Sequence, residues 1–161
     1  MEKDLDGFDF KKLTALGMAG IGVSSPKEAA QFPVLVLAYV GDAVYEVYVR
    51  TWIACTKKVP VKQLHKHSVG FVSATAQSES LKNVSEMLSE EEKEVVRRGR
   101  NSKTSSSPKN VNITEYRHAT AFEVLIGYLY LSGQMKRLNE IMEISLRIEK
   151  DLEKENGEKN V

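Results

Sequence analysis

One cysteine, Cys55, is all the sequence has, so no internal disulfide can form, and a reduced, cytoplasmic setting is the expectation. Only 4 prolines and 10 glycines punctuate 161 residues, too few turn signals for an all-β chain. No long apolar run is present. The longest, Val34 to Val40, ends at Gly41-Asp42 and falls far short of the ~20 residues a membrane helix needs, so no membrane partner is expected. The first residues carry Glu2, Asp4 and Asp6 and no long apolar block, which speaks against a signal peptide. Nor does one sign of charge dominate: Lys+Arg is 23, Asp+Glu is 22 and the net charge is +1. A polyanion partner must therefore be held by a local basic patch, not by the overall field. Hydrophobic residues at 42% and charged residues at 28% exclude a wholly disordered or collagen-like chain, and the length suffices for one well-buried core.

What is present is helical spacing, and the fold class it predicts is all-α. Residues 1–24 read as a flexible lead-in, 25–148 as a helical domain, and 149–161 as a charged, frayed tail. Ser25-Pro26-Lys27-Glu28 has the form of a capping box with proline at the first helical position. Pro33 must end that short helix and suits the start of the next, predicted over 33–56. This second helix is apolar almost all round, which places it at the centre of a bundle or at a subunit interface. Apolar residues from Leu64 to Leu88 mark one or two helices. Ser89-Glu90-Glu91-Glu92 opens another, fading at Gly99, and 100–113 is a serine-rich loop. A helix over 115–131 and a last one from Gln134 complete the domain.

Two carboxylates stand out, Asp42 and Glu123, each alone among residues that should pack inward. Burying an ionised carboxylate is costly unless it is paired or binds a metal. Gly41 adjoins the first and Gly127 lies one turn after the second. Glycine costs roughly 1 kcal/mol in a helix interior and is tolerated where another backbone comes close. Two central helices that approach closely and bring two acids together would suit a divalent cation held through oxygen ligands. The alternative is an ion-paired acid, or acids that reach solvent at the bundle edge. Glu46, one turn after Asp42, is a third candidate acid or the partner of a nearby cation.

A second feature is a run of cations without acids: Arg97, Arg98, Arg100, Lys103 and Lys109, with Asn101 adding hydrogen-bonding capacity. Such a loop can grip a phosphate backbone, and Lys66, with Lys62, His65 and His67, could extend that surface. The alternative is a solvated loop. His65 and His67, two residues apart, point to different helix faces and make a poor metal motif. Cys55 is most simply a core residue.

The segment Leu37-Ala-Tyr-Val-Gly-Asp-Ala-Val-Tyr-Glu-Val-Tyr-Val-Arg50 resembles the signature helix of Mini-ribonuclease III, the short branch of the ribonuclease III superfamily. The likeness continues in Gln63-Leu-His-Lys66, Val72-Ser-Ala-Thr-Ala-Gln77, Val95-Val-Arg-Arg-Gly-Arg-Asn101, Pro108-Lys-Asn110 and Thr120-Ala-Phe-Glu-Val-Leu-Ile-Gly-Tyr-Leu-Tyr-Leu131. It implies a homodimeric ribonuclease III catalytic domain without a separate double-stranded-RNA-binding domain. It implies an endoribonuclease that cuts double-stranded RNA with Mg²⁺ (Mn²⁺ as substitute), leaving 5′-phosphate and 3′-hydroxyl ends. The natural substrate it implies is the large-subunit (23S) ribosomal RNA precursor stem, with a large-subunit ribosomal protein as helper. Asp42 and Glu123 are the catalytic and metal-holding residues it carries over. Ala38 and Thr120 stand where full-length relatives have two further acids. That departure keeps a second expectation open, a non-catalytic RNA-binding or ribosome-assembly factor on the same fold. A third is a helical adaptor whose apolar helix is only a dimer seam.

Overall fold

The computed structural model describes residues 24–102, 110 and 112–158, with side chains as far as 146. The described helices are α1 (Pro26–Ala29), α2 (Val34–Thr56), α3 (Val61–Phe71), α4 (Ala74–Val84), α5 (Glu90–Arg100), α6 (Ile113–Leu131) and α7 (Met135–Glu158), with a 3₁₀ turn at Ser85–Met87. No strand occurs among the described residues, so the all-α expectation holds. The domain's expected lead-in lies outside them up to residue 23. Ser24 is anchored, its N–H donating to the Leu131 carbonyl at 3.2 Å. The last helix runs to Glu158, into the 149–161 segment expected as a charged, frayed tail.

Local chemistry sets the helix starts. Ser25 and Glu28 form the expected capping box on α1, and Ser89 and Glu92 form a second on α5. Ser73 caps α4 and the Asn112 side chain caps α6. Gly133, at φ 69°, makes the left-handed turn from α6 into α7 that a side chain would strain. The stretch ending at Leu88 resolves into two helices and the 3₁₀ turn.

Helix α6 is the axis of the core. Ala121, Phe122, Val124, Leu125, Ile126 and Leu129 are buried on it, and α2, α4 and α5 pack around it. Tyr45 meets Phe122 edge-on with ring centroids 5.3 Å apart, and Trp52 meets Phe71 at 5.1 Å. Where α5 meets α7, Glu92 is 4% exposed yet ionised. Burial works to raise its pKa, but hydrogen bonds from Arg137 and the Ser89 backbone, with the Arg137 charge, hold it below the ordinary 4.5. The Arg137 guanidinium reaches both Glu92 oxygens, at 2.8 and 2.9 Å, and the Met87 carbonyl at 2.6 Å.

Helix α2 divides into two flanks. Leu37, Val44, Tyr45, Tyr48, Val49, Trp52 and Ile53 pack inward. Leu35, Val36, Tyr39 and Val47 lie open to solvent, Tyr39 at 81% exposure. Two expectations are corrected here. Asp42 does not sit among inward-packing residues: it belongs to the open flank and is exposed. Cys55 is exposed rather than core, because the last turn of α2 carries it away from the flank of Trp52 and Ile53. Both errors have one cause: an all-round apolar helix does not disclose which flank a neighbour covers.

Candidate active site

The site begins with two glycines. A Cβ placed on Gly41 would lie 1.7 Å from the Glu123 carbonyl oxygen, and one on Gly127 would lie 2.0 Å from the Leu37 carbonyl oxygen. No side chain fits at such a separation, so α2 and α6 cross backbone to backbone only because both positions are glycine. The crossing brings Asp42, the residue after Gly41, close enough to Glu123 for their charges to interact.

The two acids differ in setting. Glu123 is partly buried. Burial first, and then the Asp42 charge, push its carboxyl up to about 7 from the ordinary 4.5, while a hydrogen bond from Gln77 opposes both. Asp42 is at the rim, its carboxyl raised by partial desolvation and by the charge of Glu46. Glu46 itself is engaged by Arg50 at 2.6 Å, the partner role anticipated for it. Ala38 is buried and brings no oxygen, and the Thr120 hydroxyl donates to the Tyr116 carbonyl at 3.1 Å. Among the described residues no cation forms an ion pair with Asp42 or Glu123. Nor do they contain a cluster of three or more His, Cys, Asp or Glu suited to a metal. What stands at the crossing is a two-carboxylate, oxygen-only set with no ion-paired cation among the described residues. That donor chemistry fits a hard divalent cation completed by water or a phosphate oxygen.

The expected cationic surface is only partly assembled. Arg97 is exposed and paired with Glu94 at 2.7 Å. Arg98 is half-buried, its guanidinium donating to the Ala30 carbonyl and, at 3.4 Å, to that of Phe32, where it ties α5 to the end of α1. Arg100, Asn101 and Lys66 are exposed. Lys103 and Lys109 lie outside the described residues. Arg97 and Arg100 border an open cleft of about 490 Å³ together with Lys82, Lys93 and His118, above an apolar floor of Leu81, Leu88 and Val96. The Nδ1 of His118 has no hydrogen-bond partner there among the described residues.

Two groups lay outside the sequence-derived candidates. Lys82 and Lys93 each follow an acid by three residues, Glu79 and Glu90, and therefore looked like balanced helix charge. Gln77 lay within a motif but carried no mark of its own, since a lone glutamine on a polar helix is ordinary. Only the packing of α4 on α6 brings it to Glu123.

Comparison with known proteins gives the family. Residues 35–134 match the model of the Ribonuclease III domain. The Mini-ribonuclease 3 of Thermoanaerobacter sp. is 47% identical over 148 residues, covering 92% of this chain and 98% of the relative. That of Brevibacillus brevis is 51% identical over 114 residues, covering 71% of this chain and 85% of the relative. The crystal structure of protein FN1578 from Fusobacterium nucleatum superposes with a TM-score of 0.67 at 31% identity, over 74% of this chain and 95% of that one. The chain belongs to the ribonuclease III family of endoribonucleases, in its Mini-ribonuclease 3 branch.

Proposed function

We propose that this endoribonuclease hydrolyses double-stranded RNA at a centre made by Asp42 and Glu123, with Mg²⁺ as cofactor and Mn²⁺ as substitute. The observation that carries the proposal is the uncompensated carboxylate pair at the Gly41/Gly127 crossing. A structural acid in the same protein, Glu92, is paired with an arginine, and among the described residues these two have no such partner. Asp42 and Glu123 would hold the ion, which when bound lowers the pKa of water and offsets charge on the phosphate. The chain's own acids supply the rest. Asp42 stands at the exposed rim where substrate would enter, and Glu123 stands deeper. A water oxygen adds to phosphorus and gives up a proton to solvent, the P–O3′ bond breaks, and the 3′ oxygen takes up a proton from solvent, leaving a 5′-phosphate and a 3′-hydroxyl.

The open flank of α2 supports a homodimer. Leu35, Tyr39 and Val47 share one face at helical spacing, and Val36 adjoins it, an apolar surface suited to the same surface of a second copy. Two centres would then face the two strands of one A-form duplex. Arg97, Arg100, Asn101, Lys66, Lys103 and Lys109 would contact phosphates and 2′-hydroxyls, so shape outweighs base sequence. Arg98 is included through its hold on α1 rather than as a free cation. The substrate proposed is the end stem of the 23S ribosomal RNA precursor, in the cytoplasm, with a large-subunit ribosomal protein as helper.

A labelled duplex of that stem, incubated with wild type, Asp42→Asn and Glu123→Gln, with Mg²⁺ or chelator, tests the proposal. Cutting by wild type alone and only with metal, while all three bind the duplex, is expected. Binding without cutting by wild type, on the stem with its ribosomal proteins, would favour the assembly-factor alternative suggested by Ala38 and Thr120.

A further inference from the structure

The cleft bordered by Arg97 and Arg100 lies apart from the carboxylate pair. Its lining from α5, at positions 93, 96, 97 and 100, follows the i, i+3, i+4, i+7 spacing of one helix face. Leu81 and Lys82 on α4, with Ser85 just beyond its end, form the facing wall. His118 reaches the cleft from α6. It precedes Glu123 by five residues, roughly 140° around the helix, so the cleft opens on the other side of α6 from the acids. Leu81 and Leu88, each 6% exposed, give the floor together with Val96. At about 490 Å³ the space suits one small organic ligand.

The chemistry of the walls selects that ligand. Lys82, Lys93 and Arg97 each hold a carboxylate three residues back, Glu79, Glu90 and Glu94, at 2.6, 2.7 and 2.7 Å. Such exposed pairs are weak and are readily exchanged. Arg100 forms no ion pair among the described residues. A partner's carboxylate would replace like with like. A phosphate monoester brings more charge and three acceptor oxygens, and the guanidinium forks of Arg97 and Arg100 match them. Inorganic phosphate would leave the apolar floor uncovered, so the ligand also carries an apolar body. That body needs polar atoms of its own, because the Nδ1 of His118 has no hydrogen-bond partner among the described residues. A half-turn of the ring about χ2 can present this nitrogen without breaking a bond of its own. A hydrocarbon chain has nothing to offer it, whereas a ribose hydroxyl or a base edge suits either tautomer. We propose that the cleft binds a nucleoside 5′-monophosphate group, with the phosphate on the cations and the base over Leu81, Leu88 and Val96. That group is carried alike by a free nucleotide and by the 5′-phosphorylated end of an RNA strand. The site goes beyond the cleavage proposed above and needs no metal.

Isothermal titration calorimetry on the full chain, at low salt with chelator, tests it. The titrants are AMP, GMP, CMP and UMP, the nucleoside and the 5′-phosphorylated dinucleotide of the best binder, and inorganic phosphate. At least one nucleotide should bind about tenfold more tightly than its nucleoside and than inorganic phosphate. Lys82→Ala with Lys93→Ala should weaken that nucleotide about tenfold, and His118→Phe about threefold. Asp42→Asn and Lys62→Ala should leave its affinity unchanged. A dinucleotide that binds as tightly as the mononucleotide assigns the site to strand ends, and one that does not assigns it to free nucleotides. Four nucleotides that bind no better than inorganic phosphate overturn the proposal. So does an affinity that survives the loss of both lysines, or one that is lost in Asp42→Asn, since the ligand then sits elsewhere. Tighter binding of a peptide of alternating glutamate and leucine also overturns it, in favour of a protein partner.

Discussion

Glu92 and Glu123 are both carboxylates drawn into the domain, and the protein treats them in opposite ways. Glu92 receives a two-pronged contact from Arg137 and a capping bond from the Ser89 backbone, and its pKa falls despite burial. Glu123 receives one neutral amide and a neighbouring negative charge, and its pKa rises to about 7. Burial is the first influence on each, so the difference lies in the partners. A cation built into the chain marks a structural acid. Among the described residues Asp42 and Glu123 have no such cation, and this is why we propose that they take one from outside.

The comparison can be broken at its structural end. Arg137→Met leaves Glu92 buried and unpaired, which should cost about 3–5 kcal/mol in denaturant unfolding. Adding Glu92→Met to that variant should recover most of the loss, because no buried charge remains. Gly41→Ala attacks the crossing. A methyl 1.7 Å from the Glu123 carbonyl forces α2 and α6 apart, costing about 3 kcal/mol and lowering cleavage more than Arg137→Met does at equal folded fraction.

A smaller effect reverses the usual sign. Glu123 has its folded pKa raised from 4.5 to about 7, so between those values the folded state holds more protons than the unfolded. Its influence on stability therefore becomes less favourable as pH rises through that window and is worst above it. Glu123→Gln should stabilise the metal-free protein by about 1–2 kcal/mol at pH 8, with the gain gone near pH 4, as melting curves at the two pH values will show. Glu92 runs the other way. Its stabilisation is full above the ordinary 4.5 and is lost as pH falls through its depressed folded pKa. The least effect on stability is expected from Arg97→Ala with Arg100→Ala, both exposed: within about 0.5 kcal/mol, with duplex binding weakened and its salt dependence made shallower.

Much of the fold was legible because its signals are local. The serine caps at Ser25 and Ser89 and the break at Pro33 each act within one helical turn. The close helix crossing was also legible, because a glycine inside an apolar helix costs stability unless a second backbone needs the space. What stayed hidden depends on which neighbour arrives. Both flanks of α2 are apolar, so the exposure of Asp42 and Cys55 follows from packing rather than pattern. Arg98 sits in a run of like cations, yet the carbonyls of Ala30 and Phe32 take it because α1 ends beside α5. Gln77 reaches Glu123 only across the α4–α6 contact, which no spacing within α4 encodes.

Asp42 and Glu123, without a paired cation among the described residues, are proposed to receive a divalent cation. The most direct measurement is the change in melting temperature on adding Mg²⁺ at pH 8, for wild type, Asp42→Asn and Glu123→Gln. A ligand that binds only the folded state raises stability by RT ln(1 + [L]/Kd). A rise of several degrees is expected in wild type and its loss in both variants, with metal-free Glu123→Gln already more stable than metal-free wild type. An equal rise in all three proteins, or none in wild type at millimolar Mg²⁺, would contradict it.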